Sequence, residues 1–117
     1  MAQFEDAVQT VRTALARPAG EDWGWHLRTH LRNLRLAIIH EPIVSESWLA
    51  SRCGQAQRER MALISRIATL SPIVLAGSEH AEVRQLVERL LHDAERYHQR
   101  VMDLIYDSVE LEFGGSE

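Results

Sequence analysis

Apolar residues recur every three or four positions along four separate segments of this chain, which is the spacing of one face of an α-helix. These segments cover, approximately, residues 2–16, 22–40, 46–70 and 78–111. The stripe of the first two segments consists of Phe4, Val8, Val11, Leu15, Trp23, Leu27, Leu31, Leu34 and Ile38. The stripe of the last two consists of Leu49, Cys53, Ala56, Arg60, Leu63, Ile67, Leu70, Val83, Val87, Leu90, Ala94, Tyr97, Val101, Leu104, Ser108 and Leu111. The pattern predicts four amphipathic helices and no strand.

The residues that disrupt helices lie between these segments rather than inside them. Pro18 ends the first segment, Pro42 ends the second, and Ser71-Pro72 separates the third from the fourth. Four amphipathic helices joined by short connections favour an antiparallel up-down bundle. We therefore expect an all-α fold, with residues 1–117 forming a single four-helix-bundle domain.

Composition narrows the classes of function. The chain is 45% hydrophobic and 26% charged, as in an ordinary globular protein, and its net charge of −4 disfavours nucleic acid as a partner. A single cysteine excludes an internal disulfide, and no apolar run approaches the roughly 20 residues of a membrane span. The first residues have neither the basic nor the apolar region of a signal peptide. We expect a cytoplasmic protein that binds neither membranes nor nucleic acid.

The second predicted helix has an additional apolar surface. At about 100° per residue, Trp25, Leu36 and Ile39 lie away from its main stripe, with Arg32 beside them. Large apolar side chains interleaved with arginine are typical of the core and rim of a protein interface. We interpret this surface as the contact of a homodimer, or of another protein partner. Isolated apolar residues on an ordinary protein surface are the alternative explanation.

Histidine is the residue type that first suggests chemistry, because six occur in 117 residues. Helical bundles hold metal ions between inward-pointing histidines and carboxylates of facing helices. His30 and His40 flank the stripe of the second helix, and His98 lies on the buried side of the fourth. Glu95 precedes His98 by three residues, so both share a helix face, as in ferritin-like carboxylate sites. Those sites need a second such pair, which this sequence lacks.

Three stretches give the chain a resemblance to a known family. They are His40-Glu41 after the second helix, Arg58-Glu59-Arg60 ahead of an apolar run, and His98-Gln-Arg-Val-Met-Asp103 before an acidic, glycine-rich end. In these stretches the sequence resembles the hemerythrin-like, or HHE cation-binding, four-helix bundles. The resemblance implies a non-haem di-iron site that binds dioxygen or senses redox state or iron. The metal ligands that it implies are His40, His98 and Asp103, with His30, Glu46 and Glu95 as further candidates.

The chain also departs from the family's ligand pattern. A carboxylate is required where Val44 stands, and Arg60 takes the place of a histidine in the third helix. Because Arg60 lies in the predicted core stripe, we expect its guanidinium to replace the charge of a metal ion. The carboxylates that we expect it to pair with are Glu46, Glu59 and Asp103. The alternative is that its long side chain extends to the surface.

We therefore expect a non-catalytic, hemerythrin-like bundle with an eroded metal site, which acts through helix-face association and needs no cofactor. The alternative is a protein that binds non-haem iron. In that case His40 and His98 are the nitrogen ligands, and Asp103, Glu46 or Glu95 supplies oxygen. A third interpretation is a ferritin-like oxidase formed between two chains around Glu95 and His98.

Overall fold

The structure, a computed structural model, describes residues 2–18, 20, 22–43, 49–76 and 80–114, with side chains from 3 to 109 within those ranges. These residues form four α-helices and no strand. The helices are α1 (Ala2–Ala16), α2 (Trp23–His40), α3 (Ala50–Leu75) and α4 (His80–Gly114). The prediction of an all-α, four-helix fold is confirmed. None of the helices in the described ranges is long and apolar enough to cross a membrane.

Ion pairs between α3 and α4 join residues in opposite order along the two helices. Arg52 lies 2.8 Å from Asp107, and Arg66 lies 2.7 Å from Asp93. Because the earlier residue of α3 contacts the later residue of α4, these two helices run in opposite directions. The contacts of α1 with α4, and of α2 with α3, also join earlier residues of one helix to later residues of the other. These two pairs of helices are therefore antiparallel as well.

Helix α3 is longer than its sequence predicts. It continues through Pro72 to Leu75, so the predicted end at residue 70 is wrong by more than a turn. A proline removes the hydrogen bond to the carbonyl four residues before it, and its ring crowds that carbonyl, so it weakens this turn of the helix. The turn is held by local bonds instead: Ser71 Oγ donates to the Ile67 carbonyl, and the Ala76 N–H donates to the Pro72 carbonyl, both at 2.9 Å.

The predicted stripes form one buried core that draws on all four helices. Arg60 and Ser108 are the half-buried members of these stripes, and the side chain of Leu111 lies outside the described residues. Tyr97, near the middle of α4, is fully buried. At 35 residues α4 is about 52 Å long, more than twice the length of the 15-residue α1. The molecule is accordingly elongated, at 61 × 22 × 19 Å.

Candidate functional site

Glu41 is buried at the end of α2, with only 9% of its surface exposed. The chain turns to an extended conformation at this residue, and its N–H donates to the carbonyl of Ile38 at 3.3 Å. Pro42 follows and cannot continue the helix. Among the described charged residues, Glu41 alone is classed as buried. Its side chain is therefore the one most removed from water among the charged residues that the structure describes.

The carboxylate of Glu41 pairs with the imidazole of His98 on α4. His98 Nδ1 lies 2.5 Å from Glu41 Oε1, and when Glu41 is ionised its carboxylate can only accept, so Nδ1 is then the donor. The imidazole also stacks on the ring of Phe4, with centroids 4.2 Å apart and planes 9° from parallel. Its other nitrogen, Nε2, lies 3.8 Å from Oε1 of the exposed Glu5. His98 is thus held by residues of α1 and by the end of α2.

Arg60 lies beside this pair and contacts a different part of Glu41. Its Nε donates to the hydroxyl oxygen of Tyr97 at 2.9 Å, and its Nη2 donates to the backbone carbonyl of Glu41. The side chain is half-buried, so the guanidinium does point inward.

Two of the three expected carboxylate partners of Arg60 lie in the described residues, and neither pairs with it. Glu59 pairs with Arg100, and Asp103 accepts a bond from the Gln99 amide at 2.9 Å. Glu46 lies outside the described residues. The bonds from Arg60 instead satisfy the buried hydroxyl of Tyr97 and a carbonyl at the end of α2, a position where helix carbonyls lack partners within the helix.

Burial changes the protonation of two groups at this end of the bundle. Burial raises the pKa of Glu41 above its ordinary value, although the bond from His98 and the charge of Arg60 act in the opposite direction. Burial likewise raises the pKa of Tyr97, again opposed by the bond from Arg60. For both groups desolvation outweighs the neighbouring positive charges, so the pKa lies above its ordinary value.

Two of the predicted metal ligands lie close together. His40 and His98 both line a cavity of about 140 Å³ at this end of the bundle, together with Glu41. His40 is exposed, and His98 is largely buried, with 16% of its side chain exposed.

The other predicted ligands lie elsewhere. Asp103 and Glu95 are exposed, and Glu95 forms an ion pair with Arg12. His30 is half-buried on α2, where burial and the charges of His26 and Arg17 lower its pKa. Among the described residues, no group of three or more His, Cys, Asp or Glu side chains is arranged to hold a metal ion.

Sequence reasoning noted Glu41 next to His40 but did not include it among the site residues. The signal was available: Pro42 ends the helix directly after Glu41, so the side chain leaves the helical pattern there. A residue at that position can turn toward the core even when its place on the helix would point it elsewhere.

A second candidate site is the outer side of α2, which we call the α2 face: Trp25, Arg28, Arg32, Arg35, Leu36 and Ile39. Its apolar members are exposed to 60% at Trp25, 41% at Leu36 and 38% at Ile39. Its three arginines line a groove of about 230 Å³ against α3. Within the described ranges these arginines form no ion pair or hydrogen bond. The α2 face therefore combines exposed apolar area with uncompensated positive charge.

Comparison with protein-family models, curated proteins and solved structures finds no match for this chain. The resemblance to hemerythrin-like bundles therefore stays a prediction from the sequence.

Proposed function

We infer that this protein is a non-catalytic helical bundle that works by association through its α2 face. The observation that carries the proposal is the exposure of Trp25, at 60%, beside arginines that have no acidic partner in the described residues. Tryptophan and arginine are the residue types most enriched at the energetic centres of protein interfaces. Desolvating this face against a complementary surface would bury apolar area and pair the three guanidinium groups.

The charge of α2 constrains what can cover this face. The helix contains three arginines and no acidic residue, so two α2 helices packed on each other would oppose like charges. The partner surface should combine acidic with apolar side chains. This chain has such a surface at the outer end of α4, where Asp103, Tyr106 and Val109 are all exposed. We therefore propose a homodimer in which the α2 face of one copy packs on this end of α4 of the other.

Light scattering and sedimentation between 5 and 100 micromolar test the proposal. A dimer is expected, and Trp25→Ala should weaken it by about tenfold in dissociation constant. Met61→Ala is the matched control, because Met61 is an equally exposed apolar residue on α3, at 64%. A wild-type chain that remains monomeric at 100 micromolar would contradict the homodimer, and equal effects of the two variants would contradict the role of the α2 face.

A charge-reversal cycle identifies the partner surface. Arg32→Glu and Asp103→Arg should each weaken the dimer, because each opposes like charges across the interface. Mixing the two single variants should restore association between different chains. If the mixture stays as weak as either variant alone, the α2 face contacts another surface.

Binding of non-haem iron is the second candidate function. The observation in its favour is that His40, His98 and the buried Glu41 line one cavity, where His98 bonds to Glu41. Mixed His and carboxylate ligation suits iron. Metal analysis of untagged protein, produced with iron and purified without chelators, should then find about one to two irons per chain, which His98→Ala should abolish. Less than about a tenth of an iron per chain, or full retention by His98→Ala, would contradict this function.

A further inference from the structure

The groove between α2 and α3 brings three arginines of one helix together. Its volume is about 230 Å³, and α2 lines it with Arg28, Arg32 and Arg35. At about 100° per residue these positions lie within about 60° of one another, and the first and last are about 10 Å apart along the helix axis. The described residues that complete the groove on α3 are Ile67, Ala68 and Ser71. The described lining of this groove therefore contains no carboxylate.

Neither helix places an acidic residue along the groove. The described helix α2 has none. Arg60 of α3 bonds to the Glu41 carbonyl at one end of α2, and the Val74 backbone lies beside Gly24 at the other end. The part of α3 between these two contacts faces α2, and residues 60–76 contain no Asp or Glu. Because like charges at this spacing destabilise a helix, an anion bound among the three guanidinium groups would stabilise α2.

A second groove, between α3 and α4, offers a comparison within the same molecule. It too is lined by three arginines, Arg66, Arg96 and Arg100. Two carboxylates also line it: Asp93 pairs with Arg66, and Glu59 pairs with Arg100. In the groove between α2 and α3, by contrast, none of the three guanidinium groups bonds to a described residue. Their donors are therefore available to a ligand.

The number and type of these donors indicate the chemistry of the ligand. Guanidinium groups bind phosphate oxygens through paired, charge-assisted hydrogen bonds. Three guanidinium groups in a row match a short chain of phosphate groups better than a single phosphate ion. The net charge of −4 repels a long polyanion over the rest of the surface, whereas a short anion meets the groove alone. We propose that the groove binds a small molecule with two or three linked phosphate groups, held by Arg28, Arg32 and Arg35.

This site goes beyond the association proposed for the α2 face, because it lies against α3 and needs no second chain. It uses the same three arginines, so an oligophosphate and a protein partner would compete for them. Binding is therefore measured at a protein concentration at which sedimentation shows a monomer. If the chain dimerises at no concentration, the proposed association fails, whereas the binding measurement is unaffected.

Calorimetric titration of the monomer with sodium tripolyphosphate, without magnesium and at constant ionic strength, tests the proposal. We expect saturable binding with a dissociation constant of about 10 micromolar to 1 mM, as a few charge-assisted contacts at an exposed site provide. Orthophosphate reaches fewer guanidinium groups at once, so it should bind at least about tenfold more weakly. ATP carries the same triphosphate on a nucleoside. Tighter binding of ATP would identify a nucleotide as the source of the phosphate chain, and tighter binding of tripolyphosphate would identify an inorganic chain.

Two matched pairs of variants assign the binding to this groove. Ala68→Glu places a carboxylate beside the three arginines, so it should weaken tripolyphosphate binding at least about tenfold. Ala62→Glu adds the same charge to the same helix in the groove between α3 and α4, and should weaken binding by less than about twofold. Arg32→Gln should weaken binding by about three- to tenfold, whereas Arg96→Gln should leave it unchanged. All four positions are exposed, so the variants should fold as the wild type does.

Four outcomes would overturn the proposal. They are no saturable binding at about 10 mM tripolyphosphate, equal affinity for orthophosphate, equal affinities of Ala68→Glu and Ala62→Glu, and equal affinities of Arg32→Gln and Arg96→Gln. The first two would contradict the ligand class, and the last two would contradict the groove as the place of binding.

Discussion

At the scale of single residues, Arg60 serves as a distant cap for α2. The last carbonyls of a helix have no partner within the helix and carry partial negative charge. Arg60 donates to the terminal carbonyl at Glu41 from α3, and its second bond satisfies the buried hydroxyl of Tyr97. One guanidinium thus joins three helices.

Replacement of Arg60 tests this role. Arg60→Met keeps much of the apolar stem and removes both bonds, so the Tyr97 hydroxyl and the Glu41 carbonyl lose their donor. We expect the free energy of unfolding to fall by about 1–3 kcal/mol, measured by urea denaturation. Arg58→Met is the control on the same helix, because Arg58 is exposed, and it should change stability by less than about 0.5 kcal/mol. Equal effects of the two variants would contradict the capping role.

Glu41 should make stability depend on pH in a direction opposite to that of most carboxylates. Because burial raises its pKa in the folded state, the folded protein holds this proton more tightly than the unfolded chain does. The stabilisation that comes from this tighter proton binding is fully present below the pKa of Glu41 in the unfolded chain. It is lost as pH rises through the pKa of Glu41 in the folded protein. Glu41→Gln imitates the neutral form at every pH. The free energy of unfolding of Glu41→Gln minus that of wild type should therefore increase as the pH is raised from 4 to 7.5.

Urea denaturation of both proteins across this range measures that difference. Glu5→Gln provides the control, since the Glu5 side chain is 73% exposed, and its difference from wild type should vary less with pH. A difference for Glu41→Gln that stays constant, or that falls with rising pH, would mean that the bond from His98 outweighs burial.

At the scale of helices, the close approach of α2 and α3 depends on Gly24. A Cβ atom added there would lie 2.8 Å from the backbone carbonyl oxygen of Val74, closer than such contacts normally come. The carbonyl belongs to the backbone of α3, so it cannot rotate away as a side chain would. The two helices can approach this closely only because position 24 lacks a side chain.

Paired alanine substitutions test that statement. Gly24→Ala should destabilise the protein by about 1–3 kcal/mol because α2 and α3 must separate, although alanine favours helix formation. Gly54→Ala should instead stabilise it by about 0.5–1 kcal/mol, since the nearest atom is the mobile end of Arg58 at 3.4 Å. Thermal and urea unfolding of the two variants give the comparison. Stabilisation by both would show that α2 and α3 adjust without cost.

At the scale of the whole molecule, positive and negative charge are concentrated on different helices, α2 and the end of α4. The chain carries a net charge of −4, yet α2 has three arginines and no acidic residue. Acidic residues occur toward the end of α4 instead, at Asp103, Asp107 and Glu110, of which Asp107 is paired with Arg52. A molecule with two surfaces of opposite charge is suited to associate with a copy of itself, since each copy offers both surfaces.

Ionic strength should therefore weaken the proposed dimer. Between 50 and 500 mM sodium chloride, the Debye length falls from about 14 Å to about 4 Å, so we expect the dissociation constant to rise by about three- to tenfold. Sedimentation equilibrium at several salt concentrations measures this. The contribution of Trp25 is apolar, so Trp25→Ala should weaken the dimer by a similar factor at both ends of the range. Association that strengthens with salt would indicate apolar contacts alone, without pairing of the arginines.

Sequence by itself predicted the helices and their buried sides, because both follow from the local spacing of apolar residues. The stripe from Trp23 to Ile38 is buried as predicted, and even the single charge in the third stripe, Arg60, points inward. Exposure of Trp25 also follows from helical angles alone, whereas Asp103, expected as a metal ligand, is exposed. Pro72 was the local exception, since α3 continues past it to Leu75.

Tertiary structure decided which of these residues meet. Glu41 and His98 are 57 positions apart, and their contact depends on how far α2 and α4 are shifted along each other. Spacing along one helix contains no information on that shift. The same holds for the bond from Arg60 to Tyr97 and for the close approach at Gly24. Local periodicity determines which side of each helix is buried, whereas the packing of whole helices against one another determines the partners of each buried polar group.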